Sequence, residues 1–276
     1  MDRKLTVYLA PVALLLAIVL GGCSLGKSDE EEAKKKGLST GPNTDYRSPW
    51  YAQPDKSNPD INLPSNFSQQ KIAVTQSRGL SDKPYVAMTF DDGPHPRNTP
   101  RLLDILRQRN IKATFYVIGQ NVERYPSITR RIVAEGHEIG NHTWTHANMT
   151  KLSDAAVRSE LNRTRDIIVA TTGVKPRTMR PPYGALLTRQ RNMIFNEFGY
   201  PTIMWSVDPE DWRRPGVNVV ADRIVNGANN GAIILAHDLH APTIDAMPQA
   251  LDRLLERGFR FITVSQMLTQ KAQAAQ

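Results

Sequence analysis

Between residues 85 and 264, six short apolar runs alternate with stretches of helical period, and no other feature of the chain narrows its fold as far. The runs occupy 85–90, 113–119, 137–142, 202–207, 232–238 and 259–264. The stretches at 99–109, 127–135, 153–172, 188–198, 217–226 and 244–257 space their apolar residues as amphipathic helices do. Gly136, Gly173, Gly199 and Gly258 stand just past four of these stretches, where a left-handed residue ends a helix. Strand then helix, repeated this often, predicts a parallel α/β sheet or barrel. A doubly wound open sheet satisfies the same pattern, and periodicity alone leaves both in play. In either architecture, functional side chains gather at the C-terminal ends of the strands.

The polar residues fall where that rule puts them. Asp91 and Asp92 end the first run, and His142 and His146 follow the third. Arg-Pro-Pro-Tyr-Gly at 180–184 reads as a loop, Asp-Pro-Glu-Asp-Trp at 208–212 ends the fourth run, and His237 and Asp238 close the fifth. Five segments thus converge on one rim. His-Thr-Trp-Thr-His at 142–146 spaces two imidazoles at i and i+4, which in a helical turn project from one face and can share a metal. The stretch lacks the Glu of HExxH, which disfavours a thermolysin-like protease. Alone, such a pair is more often a surface or capping feature.

Asp91 and Asp92 change that weighting. Adjacent side chains on a strand point to opposite faces. At a strand end that kinks into Gly93-Pro94, however, one carboxylate can bind a cation while the other sits on the water's side of it. The cation also removes the objection to two close like charges. Two histidines and one carboxylate form a known catalytic zinc set with positions left open for water and substrate.

Taken in order, Thr-Phe-Asp-Asp-Gly-Pro at 89–94, the 142–146 stretch, Arg180 to Gly184, Asp208 to Trp212 and Leu-Ala-His-Asp-Leu-His at 235–240 resemble the five motifs of the NodB-homology polysaccharide deacetylases, carbohydrate esterase family four. The resemblance covers about residues 80–268, and the combination is specific although each piece alone is not. It implies a distorted (β/α) barrel with fewer than eight repeats, and a metal-dependent hydrolysis of acetyl groups on sugars. It makes Asp91 the catalytic base and Asp92, His142 and His146 the metal ligands, zinc first, with cobalt, nickel or manganese as alternatives. Arg180 would hold Asp91, Asp211 would tune His237 as general acid, and Trp212 and Leu235 would line the acetyl pocket. Pro181 and Pro182 have no amide hydrogen, so Tyr183 is the first residue after Arg180 able to donate a backbone N–H to the developing oxyanion and contact substrate there. His137, Trp144, Phe115 and Tyr116 read as structural residues, and His95 and His240 as weaker substrate-contact candidates. The implied substrate is the N-acetylglucosamine of peptidoglycan or chitooligosaccharide. An O-acetyl xylan esterase and a non-catalytic carbohydrate-binding lipoprotein are the alternatives.

The rest of the chain supplies setting. Arg3 and Lys4 precede an apolar stretch to Leu20, too short for the roughly 20 residues of a spanning helix. Leu20-Gly21-Gly22-Cys23 follows, so 1–22 reads as a lipoprotein-type signal peptide and Cys23 as the lipid-anchored mature terminus. That places the domain outside the cytoplasm, periplasm-facing if the cell is Gram-negative. Cys23 is the only cysteine, so no internal disulfide can form. Residues 23–75 read as a tether rich in charge, Ser, Pro and Asn, in which Tyr46, Trp50, Tyr51 and Phe67 are the only hints of docking. Residues 76–270 form the catalytic domain and 271–276 a tail. A net charge of +8 is spread along the chain rather than gathered on one face, so nucleic acid is not an expected partner. The oligomeric state is left open.

Overall fold

The computed structural model describes residues 75–274. The leader, Cys23, the tether as far as residue 74 with its four aromatic residues, and the last two residues lie outside the described residues, while Thr75, expected in the tether, already pairs in a strand. No helix among the described residues is long and apolar enough to cross a membrane.

A central strand, β2 (Tyr85–Asp91), organises the fold. It follows β1 (Thr75–Gln76) and leads through α1 (Asn98–Gln108) to β3 (Thr114–Val117). Then come α2 (Gly119–Arg124), α3 (Pro126–Ala134), β4 (Glu138–Asn141), α4 (Asp154–Thr172) and α5 (Thr188–Phe198). The chain finishes with β5 (Thr202–Ile203), α6 (Val217–Gly227), β6 (Ala232–His237), α7 (Ala241–Glu256), β7 (Arg260–Phe261) and α8 (Val264–Ala274). β6 pairs β2 along one edge, while β3 takes the upper half of the other edge and β7 the lower. β4 adds beyond β3, and every one of these pairings is parallel.

The sheet curls toward closure through single residues rather than full strands. Met179 bridges Asn141 to Thr202, β5 pairs with β1, and Val207 bridges to Ile234 on β6. This is the distorted barrel that the family resemblance implies, not an open doubly wound sheet. Alternation along β2 assigns its two faces. Val86, Met88 and Phe90 belong to the main core beneath the helices, together with Leu102, Leu106, Met247 and Leu251. Each such side chain, fully buried, contributes roughly 1.5–3 kcal/mol. Ala87, Thr89 and Asp91 face the barrel interior. Along that face the register sets Thr89 against Leu235 and Asp91 against His237.

Some of these expectations need correction. The run at 113–119 ends as a strand at Val117, and Gly119 instead begins α2, because its amide bonds the Thr143 carbonyl at 2.9 Å. The run at 202–207 is a strand only at Thr202 and Ile203, with Val207 adding a single bridge to Ile234. Beyond them, Met204 N–H turns to Gln76 O at 2.7 Å, while the Ser206 and Val207 amides share the Ile233 carbonyl. Val264 ends no strand but starts α8, which reaches Ala274. The tail at 271–276 therefore shortens, since Lys271 Nζ holds Gln76 Oε1 at 2.9 Å and Ala272 is buried. Lastly, 142–146 is a loop and not a helical turn. The terminating glycines stand as expected: Gly173 and Gly199 end α4 and α5 with φ of 73° and 69°.

Candidate active site

Consecutive carboxylates on a strand should diverge, yet Asp91 and Asp92 both reach one site. The backbone explains how: Asp91 is the last strand residue and points inward, while Asp92 adopts φ 74°. A left-handed non-glycine residue costs of order 1–3 kcal/mol, and here it turns the second side chain back toward the first. The turn is held by Asp92 N–H to Tyr116 O at 3.2 Å and by Asn121 Nδ2 to Asp92 O at 2.8 Å. Gly93 follows because nothing larger fits: a Cβ there would lie 2.4 Å from Asp238 Oδ2. Burial pushes the Asp238 carboxyl up to about 7, although a hydrogen bond from Thr99 opposes this.

Asp92, His142 and His146 offer one donor atom each, all within 4.8 Å of one another. Asp92 Oδ1 lies 3.2 Å from His142 Nε2 and 3.1 Å from His146 Nε2. That oxygen is buried and has no hydrogen-bond partner of good geometry. Proximity to both nitrogens without a bond to either is what lone pairs aimed at a shared cation produce, so the three residues fit a metal site. The remaining nitrogen of His142, Nδ1, donates to Arg180 O at 2.7 Å, which leaves Nε2 as the atom that could face a cation. Burial disfavours charge on Asp92, but the two imidazoles outweigh it and hold the carboxyl well below its usual range. Burial likewise works against a proton on His142, while Asp91 and Asp92 outweigh it and raise its pKa. Any such proton would compete with a cation at this site.

Beside these donors lies a buried guanidinium. Arg180 is fully buried, and its Nη1 donates to Asp91 Oδ1 and to Thr89 Oγ1 at 2.7 Å each. Nε and Nη2 donate to the carbonyls of Ile203 and Met204 at 3.2 Å, and the Tyr116 ring lies beneath at 4.4 Å. Arg180 therefore fixes Asp91 through its side chain and His142 through its carbonyl. Asp91 Oδ2 remains on the cation side, 3.8 Å from His142 Nε2.

A second pair lies beside the first, since His237 is in register with Asp91. His237 Nδ1 meets Asp211 Oδ1 at 2.8 Å, and the His237 amide donates to Asp211 Oδ2 at 2.8 Å. Thr243 Oγ1 donates to the same Oδ2 at 2.9 Å. Burial alone would lower the His237 pKa, but the hydrogen bond and charge of Asp211, with Asp91 and Asp92 behind it, push it up to about 9.

Of the remaining residues singled out by sequence, Tyr183 sits at φ 60° with its ring 4.7 Å from that of His146. Trp212 is 48% exposed, whereas Leu235 is buried two residues below His237 on the same strand face. His95 spends its Nδ1 accepting the Arg97 and Asn98 amides at the start of α1. His137 is buried and accepts the Ala113 amide at 3.1 Å, a structural role. Trp144, Phe115 and Tyr116 are buried as expected. Thr89 and Thr243 are supporting residues that the sequence did not single out. Each is an ordinary threonine whose importance lies only in its partner.

A family model described as polysaccharide deacetylase matches residues 78–203. The peptidoglycan-N-acetylglucosamine deacetylase PgdA of Listeria monocytogenes is 39% identical over 188 residues, covering 68% of this chain but only 40% of that protein's length. The chitooligosaccharide deacetylase of a Bradyrhizobium species is 39% identical over 212 residues, covering 71% of this chain and 96% of that protein. Among solved structures, the Bc1960 peptidoglycan N-acetylglucosamine deacetylase superposes with a TM-score of 0.67 at 36% identity, covering 69% of this chain and 91% of that one.

Proposed function

The chain belongs to the polysaccharide deacetylase family, and from that premise we propose that it is a metal-dependent hydrolase that removes acetyl groups from N-acetylglucosamine residues of an envelope or extracellular polysaccharide. The observation that carries this reading is the meeting, in one cleft, of three convergent donor atoms, a carboxylate held by a buried arginine, and an imidazole held by a buried carboxylate. A divalent cation bound by Asp92, His142 and His146 supplies Lewis-acid polarisation of the acetyl carbonyl and an acidified water. Imidazole-rich donors with one carboxylate favour zinc, with cobalt, nickel or manganese as alternatives.

The chain's own groups do the rest. Asp91, with Oδ1 occupied by Arg180, offers Oδ2 to take the proton of the attacking water. The Tyr183 N–H donates to the developing oxyanion. Trp212 and Leu235 border the acetyl methyl. An amine is too basic to leave unprotonated, and His237, held by Asp211 through Nδ1, gives it the proton from Nε2.

This assignment fixes a pH dependence. The folded-state pKa of His237 is raised, so its charge stabilises the fold fully below the ordinary imidazole value of 6.5, and this contribution is lost as pH rises through about 9. The acid form needed for protonation is lost over the same limb, so kcat should fall near pH 9. Asp211→Asn removes the main raising influence and should move that limb down toward 6.5. A kcat–pH profile checks it, and an unmoved limb would exclude His237 as the acid.

Peptidoglycan is the first substrate and chitooligosaccharide the second, in keeping with what the relatives are named for. The Leu20-Gly21-Gly22-Cys23 run supports export and lipid anchoring at Cys23, which would put the cleft beside the wall polymer. Acetate release measured across peptidoglycan, chitin oligomers and acetylxylan tests the substrate class. Release from the N-acetylated glycans is expected. Release from acetylxylan alone would favour the esterase alternative, and none at all the non-catalytic one.

A further inference from the structure

Two of the three candidate cation donors, His142 and His146, sit on an irregular loop that is neither helix nor strand. Thr143 and His146 within it have φ of 66° and 60°, each a conformation costing of order 1–3 kcal/mol. Such a loop keeps its shape only if its surroundings impose it. Its carbonyls are held from one side: Gly119 and Gln120, at the start of α2, donate to Thr143 O and Trp144 O at 2.9 and 3.2 Å. Of its amides, those of His142, Thr143 and His146 go to Val117 O, Asn141 Oδ1 and Thr143 Oγ1 at 3.1, 2.9 and 3.1 Å, and the two between them are held from the other side by a single carboxylate. Glu160 Oε2, on α4, accepts from both Trp144 N and Thr145 N at 2.8 Å, and Oε1 accepts from the Thr145 hydroxyl at 3.0 Å. The Trp144 ring is wedged between them. It packs so close over Gly119 that a Cβ there would fall 2.4 Å from Cε3, and the Arg163 guanidinium, one turn along α4 from Glu160, lies 4.1 Å from its centroid.

We infer that Glu160 is a positioning residue for the cation: its carboxylate clamps the 142–146 loop and thereby sets the spacing of the His142 and His146 Nε2 atoms. The inference rests on the reading of Asp92, His142 and His146 as a cation site. Glu160 lies outside every motif that marks the site in the sequence. An ionised acceptor suits the task, because one oxygen serving two amides makes charge-assisted bonds roughly twice as strong as neutral ones. Glutamine keeps an acceptor oxygen at the same reach but loses the charge, whereas alanine frees both amides.

The test is zinc affinity of the full chain, measured by competition with a chromophoric chelator alongside thermal unfolding of the metal-stripped protein. Loss of a supporting contact of this kind typically weakens metal binding about 10–100-fold. Glu160→Ala should show such a loss with little change in the unfolding of the stripped protein, and Glu160→Gln a smaller one. Zinc affinity unchanged in Glu160→Ala would overturn the inference. If that variant does not fold, Glu160→Gln and Thr145→Val decide it, since both should weaken zinc and parental affinity in both would overturn it. Asp92→Ala serves as the reference that abolishes the centre. A parent protein that binds zinc at this centre yet releases acetate from no glycan would refute the proposed function and leave the Glu160 clamp intact.

Discussion

Asp91→Asn is expected to keep its divalent cation and to lose turnover by about 10²–10⁴-fold, the usual contribution of a positioned general base. Asparagine has the same shape and keeps an oxygen for Arg180 Nη1, now 2.7 Å from Asp91 Oδ1. None of the three convergent donors is altered. What disappears is the second carboxylate oxygen, 3.8 Å from His142 Nε2, which becomes an amide nitrogen unable to accept the water's proton. His142→Ala should behave in the opposite sense, losing the cation along with turnover. Metal content per chain and kcat, read on both variants, separate the two roles of the adjacent aspartates. Normal turnover by Asp91→Asn would dismiss it as the base.

Arg180→Ala should have the largest effect on stability. Arg180 and Asp91 form a pair with almost no exposed surface. Removing one partner of a buried pair costs about 3–5 kcal/mol because the other is left charged and unmatched. Thr89 Oγ1 and the carbonyls of Ile203 and Met204 lose donors at the same stroke. In a domain of this size each kcal/mol lowers the melting temperature by roughly 2–4 °C, so calorimetry should find a drop on the order of 10 °C. Arg180→Lys keeps the charge but not the forked geometry, and should fall between the two. A melting temperature unchanged in Arg180→Ala would mean that the guanidinium does not carry this network.

The sequence announced this site better than it announced the ground beneath it. Runs such as 85–90 and 232–238 were legible because a parallel strand buried on both faces is apolar without interruption. Helices with a local stop signal, such as the one ended by Gly173, were legible for the same kind of reason: the signal is a property of nearby residues. The shorter pieces were not. Whether 202–207 continues as a strand depends on distant neighbours: β1 pairs only Thr202 and Ile203, and Val207 meets β6 by a single bridge. Whether 142–146 is a helical turn depends on α2 and α4, which hold it open as a loop. Spacing correctly brought His142 and His146 together, but through a different conformation from the one it suggested.

Supporting residues share this invisibility. Thr89 matters because Arg180, 91 positions on, donates to it, and Thr243 because it braces Asp211 from 32 positions away. In the sequence Asp238 stands out only as the neighbour of His237, yet its side chain occupies the space that forces glycine at 93. No local pattern encodes such partnerships. They become visible only when the barrel brings the segments together.

On the proposed reading, turnover depends on a cation that Asp92, His142 and His146 would hold. Acetate release from N-acetylglucosamine oligomers should be followed before chelation, after exhaustive stripping of divalent ions, and after zinc is added back. Activity abolished by stripping and restored by zinc is the result this account predicts, while undiminished release from the stripped protein would contradict it.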